Sequence, residues 1–279
     1  MFIKRIDLYK AFKLERKENY SGYLTIYYED MAREEMRMKD EFPCMLIIPG
    51  GGYEIVSNRE GEPIALWYLA NGFICAVLEY TIYDKYPRQL IEAMLALKYL
   101  KEHSRKYHIR KDKIASIGFS AGAHLLGLLS TLKEEESKLI DSKTYRPDFS
   151  IMCYPVVSSD PSFAHIGSIR VIGMDSDDKR DIVSVEKRID NSTPKMFIWH
   201  TKDDDYVPVK NSIVLSDALA SHNIDHKLVL FEHGWHGLST ADYLTNRIGE
   251  LGDKFSDVKE WKEMSLKYLR ENGFYSKSK

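Results

Sequence analysis

Residues 113–127, Lys-Ile-Ala-Ser-Ile-Gly-Phe-Ser-Ala-Gly-Ala-His-Leu-Leu-Gly, hold a serine in a setting that suits nucleophilic chemistry. The apolar run Ile114 to Ile117 reads as a strand, a small-residue helical pattern follows, and Gly118-Phe119-Ser120-Ala121-Gly122 joins the two. Gly-x-Ser-x-Gly between strand and helix makes a turn so tight that the serine backbone is strained. Glycine on either side lets strand and helix approach without a Cβ clash. Ser120 Oγ then stands out of the sheet, with a helix N-terminus behind it that favours negative charge. A serine alone is a poor nucleophile near neutral pH. It needs a base within hydrogen-bond reach and an acid that orients the base.

Candidates for both follow Ser120 in the chain. Three consecutive carboxylates, Asp203, Asp204 and Asp205, lie just past the apolar run Met196 to His200. The carboxyl end of a parallel strand is where open α/β sheets bind ligands, and spacing does not decide which of the three points inward. For the base, His233 and His236 compete in Glu232-His233-Gly234-Trp235-His236-Gly237, directly after the strand-like run ending at Phe231. A His-x-x-His pair can also ligate metal, but no further cluster at ligand spacing accompanies it and His-Glu-x-x-His is absent, so no metal is expected. His124, one turn beyond Ser120, is expected to pack or hydrogen-bond beneath the site, and His200 to end its strand. Charge developing on a carbonyl oxygen needs preorganised N–H donors with no side chain in the way, which Pro49-Gly50-Gly51-Gly52-Tyr53 can supply together with the amide of Ala121. Without Gly-x-Gly-x-x-Gly or a following Gly-Lys-Ser/Thr, the same glycines do not read as a nucleotide loop, and no cofactor is expected.

Such residues must be held by a framework, and the chain supplies one. Residues 2–8 and 20–28 read as strands, and the charged stretch 29–41 as a loop or short helix. Strand-like runs then recur at 44–48, 73–78, 114–117, 149–154, 196–200 and 226–231. Helical patterns at 62–71, 87–106, 121–131, 209–221 and 256–272 separate them. Alternating strands and helices make a mostly parallel sheet with helices on both faces, and continuous apolar runs such as Cys44 to Ile48 suit strands covered on both sides. Residues 158–193 break the rhythm and read as a cap-like excursion rather than a second domain, leaving one domain over 1–279.

Composition narrows the function classes. The 279 residues are 44% hydrophobic and 29% charged, within the range of soluble globular proteins. The formal net charge of −2 and the absence of a basic patch exclude nucleic acid or an anionic membrane as the main partner. The 18 tyrosines fit a ring-lined carbohydrate site and core packing equally well. Cys44, Cys75 and Cys153 each sit in a strand-like run and read as buried small hydrophobes, not as disulfides or zinc ligands. The N-terminus lacks the apolar core of a secretory signal and no apolar run reaches about 18 residues, so a cytoplasmic location is expected.

Taken together, Pro49 to Tyr53, Arg59-Glu60-Gly61-Glu62-Pro63, Gly118 to His124, Trp199-His200-Thr201 with Asp204-Asp205-Tyr206-Val207-Pro208, and Gly234-Trp235-His236-Gly237 resemble the α/β-hydrolase superfamily over nearly the whole chain. More narrowly they are similar to the small esterase/lipase group of acetyl esterases and acetylxylan-esterase-like sugar-ester hydrolases. The resemblance implies a mostly parallel eight-stranded sheet with antiparallel N-terminal strands. It places the acid on Asp204, three residues before the Val of Asp-x-x-Val-Pro, and the base on His236. It also places the oxyanion donors on the amides of Gly51, Gly52 and Ala121. The implied chemistry is two-step acyl transfer on a small-molecule ester, with a short acyl group and an acetylated sugar as the expected substrate class. Pro49 stands where the hormone-sensitive-lipase branch has His, so that branch's substrate range does not carry over. The same triad serves amide cleavage, aryl formamides and peptides included, and a non-catalytic binding protein could use the same fold. Homo-oligomerisation stays open.

Overall fold

The structure, a computed structural model, describes residues 1–28, 40–140, 145–246, 255 and 257–278. In chain order the first half comprises β1 (Phe2–Asp7), α1 (Leu8–Ala11), β2 (Tyr23–Tyr28), β3 (Asp40–Ile48), α2 (Glu62–Ala70), β4 (Ile74–Glu79), α3 (Arg88–Glu102), β5 (Ile109–Phe119) and α4 (Ala121–Ser130). The second half continues with α5 (Glu134–Ser137), β6 (Phe149–Cys153), α6 (Ile166–Val171), α7 (Arg180–Val183), β7 (Met196–Thr201), α8 (Lys210–Ser221), β8 (His226–Phe231), α9 (Trp261–Glu271) and the two-residue β9 (Lys277–Ser278).

Eight strands lie side by side in the order β1-β2-β4-β3-β5-β6-β7-β8, with β9 paired antiparallel to the start of β3. β1 and β2 pair antiparallel, as do β2 and β4; from β4 through β8 every neighbour is parallel. The expected eight-stranded, mostly parallel sheet with antiparallel N-terminal strands is therefore present. From β3 the chain moves outward to β4 on one side and then returns to β5 on the other. The loops leaving β3 and β5 consequently diverge and open a crevice at the carboxyl edge, the position where such sheets bind ligands.

The continuous apolar runs are explained by two cores, one on each face. Along β3, Cys44, Leu46 and Ile48 join the core under α3, α4 and α8, whereas Met45 and Ile47 join the core under α2 and α9. β7 divides the same way: Met196 and Ile198 face the first core, Phe197 and Trp199 the second. Trp199 stacks on Trp261 of α9 at 5.3 Å between ring centroids. Such a pair contributes about 0.5–1.5 kcal/mol beyond the area it buries and docks the C-terminal helix onto the sheet. The three cysteines are free and buried in this framework.

Some boundaries differ from expectation. The helix expected over 87–106 ends at Glu102, and a 3-10 turn, Ser104–Tyr107, closes on His108 in the left-handed region (φ 55°). A left-handed residue turns the chain sharply into β5, which ends the helix earlier than the apolar spacing alone suggests. The helix expected over 256–272 starts at Trp261, behind a 3-10 turn at Val258–Glu260. Within 158–193, two short helices and a 3-10 turn (Val185–Lys187) form, with Val183 and Val185 fully buried. The expected loop or short helix at 29–41 lies, for residues 29–39, outside the described residues. Among the described residues no helix is long and apolar enough to cross a membrane.

Candidate active site

Ser120 ends β5 and opens α4 with φ 51° and ψ −118°, a conformation L-residues avoid. Its neighbours hold it there: Ser120 N–H donates to Cys153 O at 3.0 Å, while Ser120 O accepts from the N–H groups of His124 and Val156. The second glycine of the motif has a steric reason. A Cβ on Gly122 would meet Ile48 O at 2.2 Å and Pro49 O at 2.3 Å, so any side chain there would drive α4 away from the end of β3. Beneath the turn His124 is fully buried, with Nδ1 2.8 Å from Tyr53 Oη and Nε2 2.8 Å from Val183 O. Burial lowers its pKa to about 4, so the ring is neutral at pH 7.

The loops after β7 and β8 bring the acid and base candidates to Ser120. His236 Nε2 lies 2.8 Å from Ser120 Oγ, and His236 Nδ1 lies 2.8 Å from Asp204 Oδ2. The Asp204 side chain is fully buried, and its Oδ1 accepts from the amides of Tyr206 at 3.0 Å and Val207 at 2.9 Å. Burial acts to raise its pKa. Hydrogen bonds from His200 and His236 and the amide of Val207 outweigh it and hold the carboxyl below the usual carboxylate range. The competing pair is placed together elsewhere: exposed Asp203 Oδ2 is 2.9 Å from His233 Nδ1, and Oδ1 accepts from Gly234 N–H at 2.7 Å. That outer pair staples the two loops to each other, and Asp205 is exposed.

Ser120 lies on a cleft of about 500 Å3 that Gly51 and Gly52 also line. Gly51 adopts φ 119°, and a Cβ there would meet Ile55 O at 2.4 Å. Only glycine lets the loop after β3 fold back in this way, bringing its backbone rather than a side chain to the cleft wall. Ala121 is the first residue of α4, fully buried behind Ser120. A hydroxyl bonded to an imidazole, the imidazole bonded to a buried carboxylate, and glycine backbone beside them form an arrangement that can activate an oxygen nucleophile and receive negative charge. Among the described residues no group of three or more His, Cys, Asp or Glu side chains could hold a metal ion.

Comparison with known proteins places the chain in a family. The BD-FAE family model matches residues 30–157. An α/β-hydrolase enzyme, MGS-M1, from a Medee basin deep-sea metagenome is 33% identical, with a TM-score of 0.74 and 97% of each chain covered. An acetyl ester-xyloside bifunctional hydrolase from Caldicellulosiruptor lactoaceticus is 32% identical, with a TM-score of 0.78 and 91% of this chain and 89% of that one covered. The chain belongs to the esterase-like α/β-hydrolases. An endo-1,4-beta-xylanase B of Butyrivibrio fibrisolvens is 33% identical over 210 residues, 71% of this chain, and the chain spans 33% of that relative's length.

Three further residues of this α/β-hydrolase escape sequence reasoning. His200, expected only to end its strand, is fully buried with Nε2 2.9 Å from Val207 O and 3.2 Å from Asp204 Oδ2. Two acceptors on one nitrogen mean that Nε2 carries the hydrogen, leaving Nδ1 to accept from Ser212 Oγ at 2.8 Å. Its position four residues before Asp204, at a strand end, was the available signal. His165, from the excursion at 158–193, lines the cleft and packs its ring 4.8 Å from that of Tyr206. Glu60, within the family-like stretch Arg59 to Pro63, is 5% exposed and also lines the cleft. A lone glutamate in a charged chain carries no sequence mark of burial.

Proposed function

We propose that the protein hydrolyses carboxylic esters of short acyl groups, with acetylated sugars such as xylo-oligosaccharides as the substrate class, through a Ser120–His236–Asp204 triad. His236 Nε2 takes the Ser120 proton as Oγ bonds to the ester carbonyl carbon, and Asp204 steadies the imidazolium. The amides of Gly51, Gly52 and Ala121 receive the charge on the former carbonyl oxygen. Collapse of the tetrahedral intermediate breaks the bond to the alcohol, which leaves with the proton from Nε2. Water, deprotonated in turn by His236, attacks acyl-Ser120. Collapse of the second tetrahedral intermediate breaks the acyl–Oγ bond, Ser120 Oγ takes the proton from Nε2 and the carboxylic acid leaves. The observation that carries this reading is the unbroken chain Ser120 Oγ, His236, Asp204, with 2.8 Å at each of its two links, on the wall of an open cleft.

The cleft wall supports the substrate class. Ile55 is its one aliphatic residue among the described residues; Glu54, Ser57, Arg59, Glu60 and His165 are polar, which suits a hydroxyl-bearing alcohol better than a long acyl chain. His165 Nδ1 accepts from Ser168 N–H at 3.3 Å, so Nε2 bears the hydrogen and is a donor for a substrate hydroxyl. Burial and the neighbouring His236 lower the His165 pKa against the pull of Asp204 and Glu54, which favours the neutral ring. Tyr83 and Tyr206, 66% and 62% exposed, line the same cleft and offer ring faces to a sugar. The acetyl ester-xyloside hydrolase named above points the same way.

The test compares kcat/KM for acetyl, butyryl and octanoyl nitrophenyl esters and acetate release from acetylated xylo-oligosaccharides. The acetyl ester should be preferred over the octanoyl by about tenfold or more, and the acetylated oligosaccharides should be turned over. A methylene contributes its roughly 0.8 kcal/mol only where an apolar pocket receives it, and among the described residues the cleft wall offers Ile55 as its one aliphatic residue. Preference for the octanoyl ester would exclude the short-acyl assignment.

A further inference from the structure

The mechanism above leaves one buried acid of the cleft without a part. Glu60 closes a 3-10 turn, Asn58–Glu60, immediately before α2. Its Oε2 accepts from the backbone N–H of Gly50 at 2.8 Å, and its Oε1 accepts from the Tyr154 hydroxyl at 2.7 Å. The same Tyr154 oxygen accepts from Ser239 N–H at 3.0 Å, and the Tyr154 ring sets its edge against the His236 imidazole, 5.1 Å between centroids at 72°. Ser239 is itself pinned, its hydroxyl donating to Arg59 O at 2.6 Å and its carbonyl accepting from Trp261 Nε1–H at 2.9 Å. One carboxylate thus touches the loop after β3 and, through one phenol, both the face and the following turn of the loop that carries His236. Burial raises the Glu60 pKa above the ordinary carboxylate value, although the bonds from Tyr154 and Gly50 and the charges of His236 and Arg59 oppose it.

We propose that Glu60 is a positioning residue: its carboxylate clamps the glycine loop at 50–52 to Tyr154, and through Tyr154 to the loop of His236, fixing the distance between the oxyanion donors and the base. The clamp's service to turnover rests on the Ser120 mechanism; the clamp itself does not. Both groups facing the carboxylate are donors, an N–H and an O–H. A carboxylate satisfies both, whereas the glutamine of Glu60→Gln must turn its NH2 toward one of them at nearly unchanged volume. Tyr154→Phe cuts the same link at its other end.

Two measurements test the proposal on the full chain. The first follows the imidazole resonances of His236 by nitrogen-15 NMR, with His222, exposed on the far end of α8, as the control. Glu60→Gln makes no hydrogen bond to His236 but removes a charge that acts on it. The deciding variant is therefore Tyr154→Phe, which changes no charge and keeps the ring beside His236. The clamp requires the His236 resonances to move in both variants while those of His222 stay. An unmoved His236 overturns the clamp, whether or not Ser120 proves to be the nucleophile. The second measures kcat and KM on nitrophenyl acetate. Glu60→Gln should lower kcat by about 10- to 100-fold with KM changed less than about threefold, as expected for small misplacements of catalytic groups. Tyr154→Phe should give a similar loss, and the double variant should be little worse than either single one, because both cut one link. Additive losses, a rise in KM at constant kcat, or a kcat within twofold of the parent would overturn the role in turnover. A parent protein with neither turnover nor phosphonate labelling of Ser120 would instead sink the proposed mechanism, with the NMR result still deciding the clamp.

Discussion

Replacing Ser120 by alanine is expected to lower kcat on nitrophenyl acetate by about 10^4- to 10^6-fold, the range over which loss of a serine nucleophile leaves only binding and oxyanion stabilisation. The thermal midpoint should move by no more than a few degrees. Among the described residues the side-chain hydrogen bond of Ser120 Oγ is to His236, and the backbone bonds that hold the turn to Cys153, His124 and Val156 do not involve the side chain. Alanine at φ 51° bears the same backbone strain as serine, so the turn keeps its energy. Steady-state kinetics and a melting curve on one preparation check both parts. Turnover within tenfold of the parent would remove Ser120 from the chemistry, and an unfolded variant would make it a structural residue.

Asp204→Asn should be nearly as severe, lowering kcat by about 10^4-fold through the wrong histidine tautomer. Four donors converge on the Asp204 carboxylate: His236 and His200 at Oδ2, and the amides of Tyr206 and Val207 at Oδ1. An asparagine NH2 turned toward His236 drives the imidazole to carry its hydrogen on Nε2, where it can no longer take the Ser120 proton. The substitution also has a pH signature. The folded carboxyl is held below its unfolded value of about 3.9, so its charge stabilises the fold at pH above that value. This contribution is lost as pH falls toward the folded pKa. In urea titrations the parent should therefore exceed Asp204→Asn most at pH 6–7, with the gap narrowing below about pH 4. A gap independent of pH would show that the carboxylate's charge is not what its four donors stabilise.

Much of this arrangement was legible in the residues because the signals were backbone signals. Gly118 to Gly122 marks a turn whose steric demands the structure makes explicit at Gly122, which abuts the carbonyls of Ile48 and Pro49. The continuous runs of β3 and β7 marked strands covered on both faces, and the two cores that divide their side chains account for the pattern. The choice between Asp203 and Asp204, or His233 and His236, was legible only through family likeness. Both pairs occur in the fold, one exposed and one turned inward beside Ser120, with acid and base 30 residues apart in the first and 32 in the second, a difference that does not choose between them. Glu60, Tyr154 and His165 were not legible as site residues. Glu60 and His165 reach the cleft from a 3-10 turn and an irregular excursion, and Tyr154 backs His236 from a strand end. Glu60 meets Tyr154, and Tyr154 meets Ser239, only through contacts far apart in the chain. Burial of a polar side chain by tertiary contact leaves no period in the sequence.

The central claim is that Ser120 is the activated nucleophile. Its most direct test is incubation of the folded protein with an organophosphonate ester reagent, followed by intact-mass measurement and peptide mapping. One phosphonyl group per chain, on Ser120, is the predicted result, with none on the Ser120→Ala variant. Folded parent protein that takes up no phosphonate, or carries it on another residue, would contradict the account.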